Sequence, residues 1–270
     1  MPALQHAYRP AAAVAFAAGL QARGRYGFAL EEVAAATGLS PEAAGAQLRR
    51  LAPAIVPVYP RAGYYLIVPP EHRLIGAPPA EWWIDGYFRR QGEPYYLGLL
   101  TAAAHHGAQP QAQQTIQVIT SRARRGIAIG RLRLSFVIKQ RLTDTPVITA
   151  AGGQAPFQVS APEATVLDLV RYAERIGGIA RVAEIIGEMK PRLTATGLRA
   201  ALAVPLDTAL LQRTGFLLEA QDMPHLARLV TRTLEGRRLQ PAPLEPGIGP
   251  AETPRNAWKI YGHLPELAGA

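Results

Sequence analysis

The chain has 270 residues, 49% of them hydrophobic and 18% charged, which is enough for two domains that each bury a core. It contains no cysteine, so disulfides, thiolate metal sites and cysteine nucleophiles are excluded, and the composition fits a reducing cytoplasm. No run approaches the ~18 apolar residues of a membrane span, and the net charge of +9 is concentrated in the first 158 residues, as expected of a protein that meets phosphates.

By segment the balance is +3 over 1–75, neutral over 76–92, +5 over 93–158 and +1 over 159–270. A bias toward Ala, Gly, Pro and Arg accounts for there being only three lysines, Lys139, Lys190 and Lys259, but not for that clustering. The opening AAAVAFAAGLQ (11–21) is short, alanine-dominated and runs into RGRYGF without a cleavage site, so it reads as a helix that Gly24 ends rather than as a leader.

After a loop, LEEVAAAT (30–37) carries acids in its first turn and apolar Leu30, Val33 and Ala34 on one side, which predicts a second helix. Gly38 permits a left-handed turn, Ser40 is placed to cap the next helix and Pro41 to open it. In that third helix Ala44, Leu48 and Leu51 fall on one face, leaving Glu42, Ala43, Ala46, Arg49 and Arg50 outward and Gln47 on the flank. Pro53 stops it. IVPVY (55–59), the turn PRAG (60–63) and YYLIV (64–68) then predict a hairpin with Arg61 at its tip.

A helix, a tight turn, a helix with small outward residues and a basic hairpin together predict a winged helix-turn-helix over residues 1–75. Its expected DNA-binding set is Ser40, Ala43, Ala46, Gln47, Arg49 and Arg50 on the helix, with Arg61 and Tyr64 on the wing. The same pattern also fits a winged helix that binds protein. A linking helix is expected within 76–92, around EWWIDGYFRRQG.

In residues 93–270, segments 114–120 and 131–139 read as strands, and VITAAG and PFQVS as two more. Between the first two, Arg122, Arg124, Arg125, Arg131 and Arg133 form the densest positive patch, which would extend the phosphate contacts, receive an acidic partner or simply be solvated. Ser160 and Glu163 read as a capping box for a helix to about Ile176, followed by helices over 179–189, from near Thr196, and over about 205–219 and 223–235. The Pro-rich stretch 240–254 reads as an extended surface segment. The expected architecture is therefore α+β: the winged helix, then a larger mixed α+β domain with a helical last third.

Catalytic signals are lacking. Adjacent His105 and His106 diverge by about 100° on a helix and cannot share one metal, and Glu163 and Asp168 would lie on different sides of theirs. There is no GxGxxG, GxxxxGK[ST], GxSxG or HExxH.

PYYLGLLTAAAHHG, QTIQVIT (114–120), SAPEATVLDLVRY (160–172) and QRTGFLLEA (212–220), in this order after a winged helix, resemble the AbiEi family, the antitoxins of type IV toxin–antitoxin systems and predicted transcriptional regulators of phage-defence operons. The resemblance implies a winged helix that represses the operon's own promoter and an antitoxin-type domain that counters a nucleotidyltransferase-like toxin, with no cofactor and no enzymatic activity. The expected partners are double-stranded DNA with inverted repeats, that toxin, and a second copy of the chain on DNA, but no membrane. Rival readings are a nucleic-acid-processing enzyme that delivers substrate on its winged helix and a ligand-responsive regulator.

Overall fold

The computed structural model describes residues 12–59, 63–109, 115–245, 254, 256–262 and 264. Helix α1 (Ala12–Gln21) is followed by a short strand, β1 (Gly27–Ala29), where the sequence showed only a loop, since three residues are too few to display alternation. Helices α2 (Leu30–Thr37) and α3 (Pro41–Arg50) lie where their spacing put them. Gly38 closes α2 at φ +69°, a left-handed conformation that costs glycine little, and Ser40 Oγ accepts the Ala43 N–H at 3.3 Å to start α3. Strands β2 (Ile55–Pro57) and β3 (Tyr64–Ile67) form the hairpin, and β1 adds to the other side of β3. Ala13, Leu20, Phe28, Val33, Ala44 and Leu48 share one core, so Ala44 and Leu48 do face inward. The order helix, strand, helix, helix, strand, strand, with β3 central, is the layout a winged helix requires.

The chain continues through a 3-10 turn (Ala80–Trp82) into α4 (Ile84–Gln91), then β4 (Tyr95–Leu97) and α5 (Leu99–His105). Strands β5 (Ile116–Thr120), β6 (Ile127–Ile129), β7 (Leu132–Ile138), β8 (Val147–Ala151) and β9 (Pro156–Ser160) complete a six-stranded sheet of order β6-β7-β5-β4-β9-β8. It is mixed: β5–β7 and β4–β9 pair in parallel and the other neighbours antiparallel.

Period-2 alternation distributes its side chains to two covered faces. Tyr95, Leu97, Val118, Leu134 and Val159 meet Trp83, Ile84 and Phe88 around α4, together with Tyr64 and Leu66 of the hairpin. Tyr96, Ile119 and Val137 meet the helical last third. That third comprises α6 (Pro162–Arg171), α7 (Ile179–Met189), α8 (Ala195–Leu202), α9 (Thr208–Ala220) and α10 (Pro224–Leu234), so the mixed α+β class is the one found. Among the described residues no helix is long and apolar enough to cross a membrane.

One cap differs from expectation. The residue preceding α6 is Ala161, Ser160 Oγ bonds Thr165 Oγ1 at 2.7 Å, and Glu163 turns away to accept the Thr194 N–H at 2.6 Å and its hydroxyl at 2.9 Å. Glu163 thus secures the start of α8 instead of its own helix, and Gly197 leaves it room, since a Cβ there would stand 2.2 Å from the carboxylate.

The segment QRTGFLLEA of α9 receives the chain's closing strap, in which β10 (Ala242–Pro243) and β11 (Ile260–Tyr261) pair in parallel. Gln212 Nε2 donates to the Gln240 and Trp258 carbonyls at 2.9 and 2.6 Å, Arg213 Nε to the Pro243 carbonyl at 2.8 Å, and Trp258 Nε1 donates to Glu219 at 2.5 Å. Gly215 lies directly under the Trp258 ring, where a Cβ would come within 2.0 Å of it. Gly215→Ala therefore loses more from overpacking, about 1–3 kcal/mol, than the ~1 kcal/mol it gains in helix propensity. Its expected signature is a lower melting temperature with a red-shifted tryptophan emission as Trp258 leaves its seat, and an unshifted spectrum with an unchanged melt would refute this packing.

Candidate nucleic-acid interface

The expected reading face of α3 divides in two. At its start, Ser40 is occupied by the Ala43 N–H, and Glu42 is held below the usual carboxyl range because backbone hydrogen bonding at the helix start, and then Ser40, favour its charged form. A charged acid at this end repels phosphate. The cationic reach of α3 consequently lies in its last turn, where Arg49 and Arg50 are exposed and neither guanidinium has a hydrogen bond or ion pair to the described residues. Ala43 and Ala46 are half-buried along the flank. Gln47 is half-buried too, and its Oε1 accepts the Ala13 N–H at 3.3 Å, so the carbonyl end of this side chain ties α3 to α1 and only the amide nitrogen is left to donate outward.

On the wing, Arg61 lies outside the described residues. Tyr64 does not belong to the DNA-facing set. It is 2% exposed, with its ring edge-on to Tyr87 at 5.4 Å and its hydroxyl against Gly27 and Gly86, where a Cβ would stand at 2.5 and 2.8 Å. The alternation of β3 turns Tyr64 toward α4, and burial pushes its phenol well above the ordinary range.

The five arginines of the second patch have separate fates. Arg122, whose side chain is 79% exposed, stands 3.9 Å from Glu93, whereas the Arg124 side chain is only 13% exposed. Arg124 is ion-paired to Glu93, donates to Gln91 Oε1 at 2.6 Å and lies 4.8 Å over the Phe88 ring. It is a clamp between α4 and the β5–β6 loop, withdrawn from phosphate or partner, and its spacing among other arginines gave no sign of that. Arg133 Nη1 donates to the Gly130 and Leu132 carbonyls at 2.6 and 2.9 Å, while the side chains of Arg125 and Arg131 are exposed. The Tyr59 hydroxyl, next to the wing tip, donates to the Arg125 carbonyl, so the arginine loop and the hairpin are neighbours on one surface.

Sequence reading missed one buried polar group. Asp168 accepts from Lys139 Nζ at 2.6 Å and from the Tyr96 hydroxyl at 2.7 Å, and Lys139 Nζ is 3.2 Å from the Tyr96 oxygen. These residues come from α6, the residue after β7, and β4, so no local spacing announces them. Among the described residues no group of three or more His, Asp and Glu side chains is placed to hold a metal ion.

Residues 96–220 match the family model of the AbiEi antitoxin C-terminal domain. A solved structure with the same fold is the RV2827C protein from Mycobacterium tuberculosis, at a TM-score of 0.64 and 16% sequence identity over 93% of this chain and 91% of that one. No curated protein matches.

His106, expected at a helix end, ends α5 with its ring buried and Nε2 2.7 Å from the Ser160 carbonyl, where the protonated nitrogen of a neutral imidazole donates. Burial lowers its pKa below the ordinary 6.5. The unfolded chain therefore binds the extra proton first, so this histidine's stabilising share is complete above about 6.5 and is lost as pH falls below it. His106→Gln, which keeps the donor without the charge, should flatten the fall in melting temperature below about pH 6.5. An identical slope in the variant would remove His106 as the source.

Proposed function

We propose that the chain is a DNA-binding transcriptional autorepressor serving as the antitoxin of a type IV toxin–antitoxin pair, a reading supported by the match of residues 96–220 to the family model of the AbiEi antitoxin C-terminal domain. The observation that carries the DNA-binding half is the unpaired, exposed Arg49–Arg50 end of α3 in a helix-turn-helix whose hairpin adjoins the Arg125 loop. In this reading residues 1–75 are the reading head and 76–92 the link to the antitoxin domain over 93–270. α3 lies in the major groove with Ala43 and Ala46 allowing close approach and Arg49, Arg50 and the Gln47 amide donating, while Arg61 and the exposed Arg122 and Arg125 hold backbone phosphates.

A single winged helix makes few contacts, so specificity requires two copies on inverted repeats. The antitoxin domain meets a nucleotidyltransferase-like toxin, the work is done in the cytoplasm, and neither catalysis nor a cofactor is involved. Labelled DNA from the chain's own promoter region tests the reading in a band-shift titration. Arg49→Ala and Arg50→Ala should each weaken binding by about 1–3 kcal/mol if they reach bases, or reduce the salt slope by roughly one if they reach phosphate, with the melt unchanged. Titrations and salt slopes equal to wild type for both variants would sink the reading head. Affinity purification from the native host, with identification of the bound protein, tests the toxin separately.

A further inference from the structure

Strand β8 forms one edge of the six-stranded sheet, and no described strand lies beyond it. The Ala161 N–H donates to the Pro146 carbonyl at 2.9 Å and the Gly152 N–H to the Ala155 carbonyl at 3.0 Å, so it is the even-numbered residues of β8 that bond to β9. The N–H and C=O groups of Val147, Thr149 and Ala151 consequently point out from the sheet, and all three residues are exposed. Such an edge is a template for pairing with another chain, and proteins ordinarily blunt it with lysine, proline or a bulge. β8 has none of these: it reads VITAA, its pairs with β9 run one to one, and Val147 and Ile148 are 43% and 40% exposed.

The strand is complementary to itself. In an antiparallel pair centred on Thr149, the outward residues meet as Val147 with Ala151, Thr149 with Thr149 and Ala151 with Val147, and each pair exchanges two backbone hydrogen bonds about a two-fold axis. The same register sets Ile148 opposite Ala150. Each bulky aliphatic side chain therefore meets a small one. A parallel pair in register would instead crowd valine on valine and isoleucine on isoleucine at one end and leave only alanines at the other. Nothing in a foreign strand ensures the match that a second copy has by symmetry.

We propose that β8 is the contact by which a second copy of this chain docks, the two sheets joining edge to edge about Thr149. An interface of one short strand a side is well below the roughly 20–30 residues a side of a stable dimer, so the pair is weak in free solution and forms when adjacent half-sites hold two copies at about millimolar effective concentration. The proposal rests on the two-copy reading of the repressor and deepens it, but it is measured without DNA, so a failed association and a failed band shift are separate results.

In sedimentation equilibrium the average mass of the full chain should rise from the monomer's 29.0 kDa toward twice that value as the concentration approaches about 1 mM, and over the same range amide exchange should slow in residues 147–151. Thr149→Pro removes the central donor of each copy at an outward N–H, where an edge strand tolerates proline, and Ile148→Lys puts a charge into the seam. Each should weaken association at least about tenfold. The proposal is overturned if the wild-type chain keeps the monomer's mass at about 1 mM, if association leaves exchange over 147–151 unchanged, or if both variants associate as wild type does.

Discussion

The packing of α4 against the sheet decides where everything else stands. Phe88 stacks on Tyr95 with ring centroids 4.5 Å apart and an interplanar angle of 13°, and the Arg124 guanidinium covers the other side of Phe88 while pairing with Glu93. A cation over an aromatic face gains most when water is excluded, and this one is nearly out of solvent. On the far side of α4, Arg90 bridges both oxygens of Glu31 at 3.0 Å, so the helix also holds α2. One short helix thereby sets the attitude of α2 and α3 relative to the six-stranded sheet.

The sheet makes this arrangement economical. Because adjacent residues of a strand point to opposite faces, Tyr95 and Tyr96 serve different cores: one supports α4 and the hairpin, the other donates its hydroxyl to the buried Asp168 beneath α6. Strands β4, β5 and β7 carry apolar residues on both faces, as expected when both are covered. The edge strand β8 leaves Val147 and Ile148 partly exposed. The burial of Asp168 and the docking of the hairpin are thus properties of one sheet seen from its two sides.

What could be read from the sequence follows from the range of the forces involved. Helices α2, α3 and α7 lay within a residue of their expected bounds because periodicity, caps and Gly38 are local signals. Strands β1 and β6 were invisible, each having three residues, too few to display alternation, even though β6 forms a tight hairpin with the adjacent β7. Among the site residues, the exposure of Arg49 and Arg50 was readable from helical phase, whereas the burial of Tyr64 and Arg124 depends on α4 covering them. Glu163 had the right spacing for a capping box, and lost that role to Thr194, 31 residues away, where two hydrogen bonds were on offer. Charge counting shows the same limit: five arginines between 122 and 133 make one patch on paper, but one of them is an internal strut.

The seam between the hairpin and the sheet is also a statement about autonomy. Val58, Tyr64 and Leu66 belong to the same core cluster as α4 and the sheet, not to the one shared by α1, α2 and α3. A fragment severed just after the hairpin would carry that apolar underside bare into water, inviting self-association at that face.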